Sequence, residues 1–283
     1  MQSSRRKPIE KILVIADPHA GSTVGLMPPD FRTLEGNKIG QNALQEFLWR
    51  CWLDCEPWAW SIIGTAPFAL VFNGDCTEGD HHGTKQIWSK NITDHVNCAN
   101  KLFGPLAKAA AKVFIVQGTE CHTNSSEYAI AEKLRAVVNP ETVNPEDPEG
   151  SPRIFDRLTI DVHGVRCVFR HHIGVTFRSY LSATQFAVTI NEEKIEAVNN
   201  GEVAPRVVCC AHRHRYGKWD DGFNLCVVSP PWQGITRHVH KVVSAARCHP
   251  GAYILDWSGL PRGSLPAVHS TIYEAPRPIA IKL

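Results

Sequence analysis

Histidine and carboxylate side chains follow several apolar runs of this 283-residue chain, at the points where the runs end. The clearest case is the segment 207–214, Val-Val-Cys-Cys-Ala-His-Arg-His, which ends in His212 and His214. A strand fixes the backbone at its end, and the loop that follows leaves the imidazole nitrogens free to bind a metal ion. The chain has 14 histidines, so one such pair is also expected by chance, as a polar loop after a core strand. The interpretation of His212 and His214 as metal ligands therefore depends on similar residues at other strand ends.

Four other strand-like runs end in the same way. The polar residues that follow them are Asp17 with His19, Asp75, Glu120 with His122, and His171 with His172. Two divalent cations roughly 3.5–4 Å apart need such a mixture of imidazoles and carboxylates, with one carboxylate shared between them. Such a pair holds both oxygens of an in-line displacement at phosphorus and turns a bound water into a hydroxide nucleophile. Mixed nitrogen and oxygen ligands suit manganese, iron or zinc, and affinity alone does not choose among these metals.

The elements that must position these residues are read from the apolar periodicity. Strands are predicted at 11–16, 68–72, 113–116, 157–162, 165–169, 207–211, 223–228, 234–239, 252–256 and 270–281. Helices are predicted at 39–56, at 93–111 with Thr93 as the N-cap, at 126–138 and at 182–198. The first half alternates strands and helices, whereas the second half is rich in strands. This order predicts an α/β (α+β) protein, with two sheets packed face to face and helices outside, in a single domain over residues 1–283.

Composition excludes some classes of protein. With 43% hydrophobic and 20% charged residues and a net charge of +2, the chain has no strong electrostatic footprint. The composition therefore does not indicate a protein that coats nucleic acid or a membrane-surface protein, although it does not exclude a local basic groove. No apolar stretch approaches the length of a membrane span. The ten cysteines form no C-x-x-C pair, so a reduced, cytoplasmic setting is the simplest expectation. The oligomeric state cannot be predicted.

Five of these motifs occur in a known order. Asp17-x-His19, Gly74-Asp75, a third motif led by Gly118, His171-His172 and Ala211-His-x-His214 resemble the calcineurin-like metallophosphoesterases. The pattern of that family is D-x-H, G-D, G-N-H, H and G-H-x-H, and the resemblance spans about residues 11 to 215. The style of the motifs is similar to members encoded by phages and prophages, related to repair-type nucleases. The resemblance implies a four-layer αββα sandwich of two packed mixed β-sheets with helices outside.

The resemblance also implies roles for single residues. Asp17, His19 and His214 would hold a first divalent metal ion, His171 and His212 a second, and Asp75 would bridge the two. His122 would orient the phosphate and protonate the leaving group. Manganese is the expected metal for both positions, with iron, zinc or magnesium as alternatives.

The chain departs from the family pattern in its third and fifth motifs. Gly118 is followed by Thr119-Glu-Cys-His122, two residues longer than G-N-H, so Thr119, Glu120 or a water would take the place of the family's asparagine ligand. Ala211 stands where the family has glycine. Strand alternation should send His171 and His172 to opposite sides, so one of them is expected to be a ligand. His171 is favoured, with His172 as the further candidate.

Two classes of function are consistent with these residues. The first is a metal-dependent phosphoesterase, expected to be a phosphodiesterase that cleaves DNA, other nucleic acid or nucleotides through a metal-bridging hydroxide. The second is a non-catalytic module that binds metal or nucleic acid through a degenerate site. A phosphomonoesterase is a further alternative to the diesterase. A membrane partner is not expected for any of them.

Overall fold

The structure is a computed structural model, and it describes residues 7–80, 85–123, 126–141, 153–174, 182–237 and 248–276. The strands of the described residues are β1 (Lys11–Ile15), β2 (Phe31–Arg32), β3 (Lys38–Ile39), β4 (Phe68–Asn73), β5 (Lys112–Val116), β6 (Ile154–Phe155), β7 (Arg157–Val162), β8 (Val165–Arg170), β9 (Val207–Cys210), β10 (Gly217–Asp220), β11 (Leu225–Val228), β12 (Gly251–Asp256) and β13 (Ala267–Ile272). The helices are α1 (Ala43–Ile63), α2 (Ile92–Ala109), α3 (Glu120–Thr123), α4 (Ser126–Lys133) and α5 (Ser182–Asn199).

The strands form two large mixed sheets. The first has the order β13-β12-β1-β4-β5-β6, and the second has the order β10-β11-β9-β8-β7. In the first sheet β1, β4, β5 and β6 run parallel, while β12 and β13 are antiparallel additions at one side. In the second sheet β8, β9 and β11 run parallel, with β7 and β10 antiparallel at the two edges. Each sheet thus has a parallel centre, and the carboxyl ends of its central strands meet at one end.

Alternation along the central strands explains why the protein has four layers. In β1, Ile12 and Val14 face the second sheet and pack against its residues, among them Phe169 and Val207. Leu13 and Ile15 face the other way, into a core shared with α1 and α2. Apolar residues on both faces mark a strand that is covered on both sides. The outer face of the second sheet is covered by α5. The predicted αββα sandwich of two mixed sheets with helices outside is confirmed, whereas the single domain over 1–283 stays a prediction.

Several predicted element bounds are wrong. Helix α1 continues to Ile63 through Pro57 because its apolar stripe continues, with Ala59 and Ile63 buried. The N-cap of α2 is Asn91, whose side chain accepts a hydrogen bond from the backbone of Thr93, so Thr93 lies inside the helix. Helix α4 is shorter than predicted.

Two of the late strands also differ from the prediction. Residues 234–237 form no strand, and residues 238 and 239 of that predicted strand lie outside the described residues. Strand β13 lies at 267–272 rather than at 270–281. The chain here pairs with β12 from Ala267 onward, and cross-strand pairing cannot be read from apolar periodicity.

Two chemical expectations from composition can be compared with the structure. All ten cysteines are free thiols. Among the described residues, no helix has the length and apolar content needed to cross a membrane. His81, His82, His238 and His240 lie outside the described residues.

Candidate metal centre

The candidate ligands are brought together by hydrogen bonds between the strand ends. The Asn73 side chain at the end of β4 donates to the carbonyl of Cys209 in β9, across the two sheets, at 3.4 Å. The ring Nδ1 of His171, after β8, lies 2.8 Å from the carbonyl oxygen of Asn73. The loops after β1 and β4 are joined by the Asp17 backbone N–H, which donates to the carbonyl of Gly74 at 3.1 Å. The two sheets therefore present their carboxyl ends to the same space.

Most of the candidate ligands have a left-handed backbone. The φ angles of Asp17, His19, Asp75, His212 and His214 are 50°, 43°, 52°, 69° and 49°. This region is uncommon for residues other than glycine, and strained backbones of this kind concentrate at functional sites. Each strand turns sharply at its end, so that the side chain after it points across the sheet edge rather than continuing the strand alternation.

The first group of close ligand atoms consists of Asp17, His19 and His214. One ligand atom from each of the three lies within 4.8 Å of the others. His214 Nε2 is 3.2 Å from Asp17 Oδ1. Asp17 and His19 are almost fully buried, whereas His214 is half-buried. These are the residues that the family resemblance assigns to a first metal ion.

The second group consists of His171, His172 and His212, again with ligand atoms within 4.8 Å. The ring centroids of His172 and His212 are 4.6 Å apart, and those of His171 and His172 are 5.0 Å apart. The expectation that His171 and His172 point to opposite sides is wrong. Strand β8 ends at Arg170, so the alternation of side chains no longer applies to the two residues that follow.

Asp75 lies between the two groups. Its Oδ2 is 3.0 Å from His171 Nε2 and 3.6 Å from His19 Nε2, and it forms a further close group with Asp17 and His171. The Thr119 backbone N–H donates to Asp75 Oδ1 at 2.6 Å, which fixes the carboxylate in this position. Asp75 is thus the carboxylate placed to be shared by two ions, and that role stays a prediction.

Two glycines allow the loops to approach this closely. A Cβ on Gly74, which has a φ of +88°, would collide with the imidazole of His171. A Cβ on Gly118 would collide with the backbone and the carboxylate of Asp75. The G-D pair and the glycine of the third motif are therefore both explained by the packing of ligands against backbone.

Unpartnered atoms show that a cation fits the first group. Both carboxylate oxygens of Asp17 and both ring nitrogens of His19 are buried and accept or donate no hydrogen bond within the described part of the chain. His19 Nδ1 is 2.9 Å from Glu78 Oε2 and His214 Nε2 is 3.2 Å from Asp17 Oδ1, but neither pair is aligned as a hydrogen bond. Buried polar atoms are otherwise almost always paired. Lone pairs that converge without donors fit a metal ion.

The charges of the cluster depend on burial and on its neighbours. Burial raises the pKa of Asp17, but the charge and close contact of His214 and the charge of His171 together lower it by more, so the net pKa lies below its usual value. The pKa of Asp75 is likewise held well below its usual range, because His171, His19 and His122 together outweigh the effect of burial. Burial disfavours the cation of His171, yet Asp75 raises its pKa to about 9. Without a metal, the site is therefore a network of carboxylates and imidazolium ions.

In the second group, the pKa values of the two histidines other than His171 shift in the opposite direction. Burial, together with His171 and His172, lowers the pKa of His212 to about 4. The pKa of His172 is also lowered, by burial and by His171. Both imidazoles are therefore neutral at pH 7, which is the form that binds a metal.

The third motif contributes Thr119 but not Glu120. Thr119 Oγ1 is 3.3 Å from Asp75 Oδ2 and 3.2 Å from His212 Nδ1, so the hydroxyl contacts one candidate carboxylate ligand and one candidate imidazole ligand. Glu120 is exposed and belongs to none of the close groups found among the described residues. The two extra residues of this motif form the start of the short helix α3 rather than a ligand loop.

His122 lies beside the first group. Its ring is 4.9 Å from that of His19, edge to face, and its Nδ1 is 3.2 Å from the carbonyl oxygen of Glu78. Because this contact occupies Nδ1, a proton transfer by His122 would use Nε2. The proposed acid role stays a prediction.

Sequence reasoning missed two buried carboxylates. Glu78 lies 2.9 Å from His19 and accepts a hydrogen bond from the side chain of Gln233 at 2.6 Å. Glu127 accepts hydrogen bonds from the backbone of Gly118 and Cys76, and burial raises its pKa to about 7. The sequence signal for Glu78 was its position three residues after Asp75. Glu127 carried no comparable signal, because only its contacts with the loop backbones distinguish it.

The similarity of this chain to known proteins is limited. No protein-family model matches it, and no curated protein matches its sequence. Solved structures that resemble it include Vps29 of Entamoeba histolytica, with 11% identity and a TM-score of 0.42, covering 93% of this chain and 99% of that one. An archaeal phosphodiesterase has 11% identity and a TM-score of 0.41 over 93% and 99%. Vps29 of Chaetomium thermophilum has 14% identity and a TM-score of 0.39 over 95% and 97%. Likeness at this level assigns neither activity nor ligands to the chain.

Proposed function

We propose that this protein is a metal-dependent phosphoesterase of the calcineurin-like type, acting on phosphodiesters. The observation that carries the proposal is the pair of ligand groups described above, joined by Asp75 at the carboxyl ends of two packed sheets. Asp17, His19 and His214 would hold one divalent ion, and His171 and His212 the other. The unpartnered oxygens of buried Asp17 support a cation at this position.

The chain's own residues would divide the work of hydrolysis. Two bound divalent cations would supply a nucleophilic water of lowered pKa and neutralise the charge of the phosphate. Asp75, held by Thr119, keeps the two groups at a fixed separation. His122 would donate a proton to the oxygen of the departing alcohol as the phosphorus–oxygen bond breaks. The products are a phosphomonoester and an alcohol, and the water supplies the new oxygen.

Nucleic acid or nucleotides are the proposed substrates. Arg213 lies between the candidate ligands His212 and His214 and is half-buried. Its pKa is lowered by burial and, to a smaller extent, by the charge of Arg215. Neither arginine forms an ion pair with a carboxylate among the described residues. A half-buried guanidinium beside a metal site is suited to a second phosphate of a polyanionic substrate.

A binding module without catalysis is the second candidate. The observation that favours it is the altered third motif, in which Thr119 replaces the expected asparagine and Glu120 points away from the cluster. Such a protein would keep a metal ion for structure or for binding an anion but would not hydrolyse the ester.

The proposal is tested with bis-p-nitrophenyl phosphate and p-nitrophenyl phosphate in the presence of manganese, zinc, iron or magnesium. We expect turnover of the diester, abolished by a chelator and restored by the metal, and slower turnover of the monoester. Preference for the monoester would show a phosphomonoesterase. A short single-stranded DNA is tested as a third substrate. Bound metal without turnover of either ester or of this DNA would show the binding module.

A further inference from the structure

His172 is a histidine for which the resemblance provides no role. It is exposed, yet its ring lies 4.6 Å from His212 and 5.0 Å from His171, and one ligand atom of each histidine lies within 4.8 Å of the others. Three imidazoles do not gather at one point to satisfy each other, because a neutral ring offers one donor only. A shared cation gives all three a partner.

The hydrogen bonding of His171 indicates which of its ring nitrogens would bind the same ion as His172 and His212. Its Nδ1 donates to the carbonyl of Asn73 at 2.8 Å, so Nε2, which lies 3.0 Å from Asp75 Oδ2, is the ring atom that would bind a metal after its proton leaves. The side chain that stands in the asparagine position is engaged elsewhere. The hydroxyl of Thr119 lies within hydrogen-bond distance of both Asp75 and His212, so it orients two ligands and does not replace a third.

We propose that His172 is the third imidazole ligand of the second metal ion and takes the place of the missing asparagine. The inference rests on the proposed metal centre and goes further, because it makes the two positions chemically different. The first has one carboxylate and two imidazoles of its own, and the second has three imidazoles. Imidazole suits zinc, iron, copper and nickel, whereas oxygen ligands suit manganese and magnesium. The second position therefore favours zinc over manganese more strongly than the first does.

The two positions can be studied separately in variants of the full chain. His214→Ala disables the first group, since His214 belongs to that group alone, and leaves the second to be measured. His212→Ala disables the second group and leaves the first. Dissociation constants for Zn²⁺ and Mn²⁺ are measured in each background by competition with a chelating dye, with and without His172→Ala. The control variant is His269→Ala, in which a partly exposed histidine of the edge strand β13 is truncated.

We expect His172→Ala to weaken Zn²⁺ binding in the His214→Ala background by more than about 100-fold, beyond the range of outer-shell changes. In the His212→Ala background the change should stay within about twofold, the scatter of independent sites. The ratio of the Mn²⁺ to the Zn²⁺ constant should be larger for the second position. A loss below 100-fold, or an equal loss in both backgrounds, would overturn the role of His172.

Failure of the underlying proposal has a different signature. If the unaltered protein binds no divalent cation, the metal centre itself is wrong. If it binds two ions and His172→Ala still binds two with unchanged constants, only the inference about His172 falls. Because His172 is exposed, its truncation creates no cavity, and circular dichroism should show an unchanged fold.

Discussion

Asp75 is the side chain on which both ligand groups depend. It contacts His171 at 3.0 Å and His19 at 3.6 Å, and it receives a backbone hydrogen bond from Thr119. The role of such a residue can be separated from packing by Asp75→Asn, which removes the charge and keeps the shape.

We expect Asp75→Asn to reduce diester hydrolysis by more than the roughly 10–100-fold typical of outer-shell changes, because a shared ligand is lost. Metal content by mass spectrometry should fall, while the circular dichroism spectrum stays unchanged. Full metal occupancy with normal turnover would show that Asp75 is not shared between two ions.

His122 permits a prediction about leaving groups. If it protonates the departing oxygen, His122→Ala should slow hydrolysis of an alkyl or nucleoside diester by about 10²–10⁴-fold. The loss on bis-p-nitrophenyl phosphate should be small, because p-nitrophenolate leaves without a proton. Rates on both substrates are compared, with metal content measured in parallel. Equal losses with metals retained would leave His122 a role in positioning phosphate, and loss of metal would make it a ligand.

At the level of elements, the strand ends carry the site. The loops after β1, β4 and β9 each place ligands in left-handed backbone, and Gly74 and Gly118 let these loops touch. A side chain at Gly74 would displace His171, whereas one at Gly36, which has a similar φ of +86°, would meet nothing within 4 Å. Gly74 and Gly36 thus have a similar backbone conformation but different surroundings.

Gly74→Ala is expected to destabilise the protein more than Gly36→Ala and to weaken metal binding. Both substitutions carry the cost of a left-handed backbone, about 1–3 kcal/mol, but only the first also shifts a ligand. Urea unfolding and metal titration of the two variants measure the difference. Equal free energies of unfolding and unchanged metal affinity would show that the loop yields without moving His171.

At the level of the whole molecule, the site couples metal binding to protons. Asp75 raises the pKa of His171 to about 9, and the pKa of His214 is also raised well above its usual value. Below these pKa values each ring holds a proton that must leave before the nitrogen can bind a metal. Metal affinity should therefore rise with pH.

We expect the dissociation constant of the second ion to fall about tenfold per pH unit between pH 6.5 and pH 9, and then to level off. Calorimetry in buffers of different ionisation enthalpy measures the protons released. An affinity independent of pH in this window would mean that His171 is neutral in the metal-free protein.

Removal of the metals should also lower the melting temperature. A ligand at 100 times its dissociation constant stabilises the folded state by about 2.7 kcal/mol per site. For a chain of this size, each kcal/mol corresponds to roughly 2–4 °C. Thermal melts with and without a chelator test this, with the double variant Asp17→Asn and Asp75→Asn as the control that should not respond.

The layers and most of the candidate ligands can be predicted from the amino-acid sequence. Continuous apolar runs such as 11–15 and 207–210 must be covered on both faces, which requires two packed sheets with helices outside. The polar residues that end those runs are adjacent in sequence to buried backbone, so they are expected near the carboxyl ends of the strands. The family resemblance then selects Asp17, Asp75, His171, His212 and His214 among them as candidate ligands.

Which loop residues join these ligands depends on contacts between segments that are distant in the sequence. His172 was predicted to point away from His171, but alternation holds only while the strand continues, and β8 ends at Arg170. Glu78 approaches His19 because backbone hydrogen bonds join the loops after β1 and β4, and Glu120 turns outward in α3. Beyond a strand end, backbone conformation is set by contacts between distant segments, and local periodicity carries no information about those contacts.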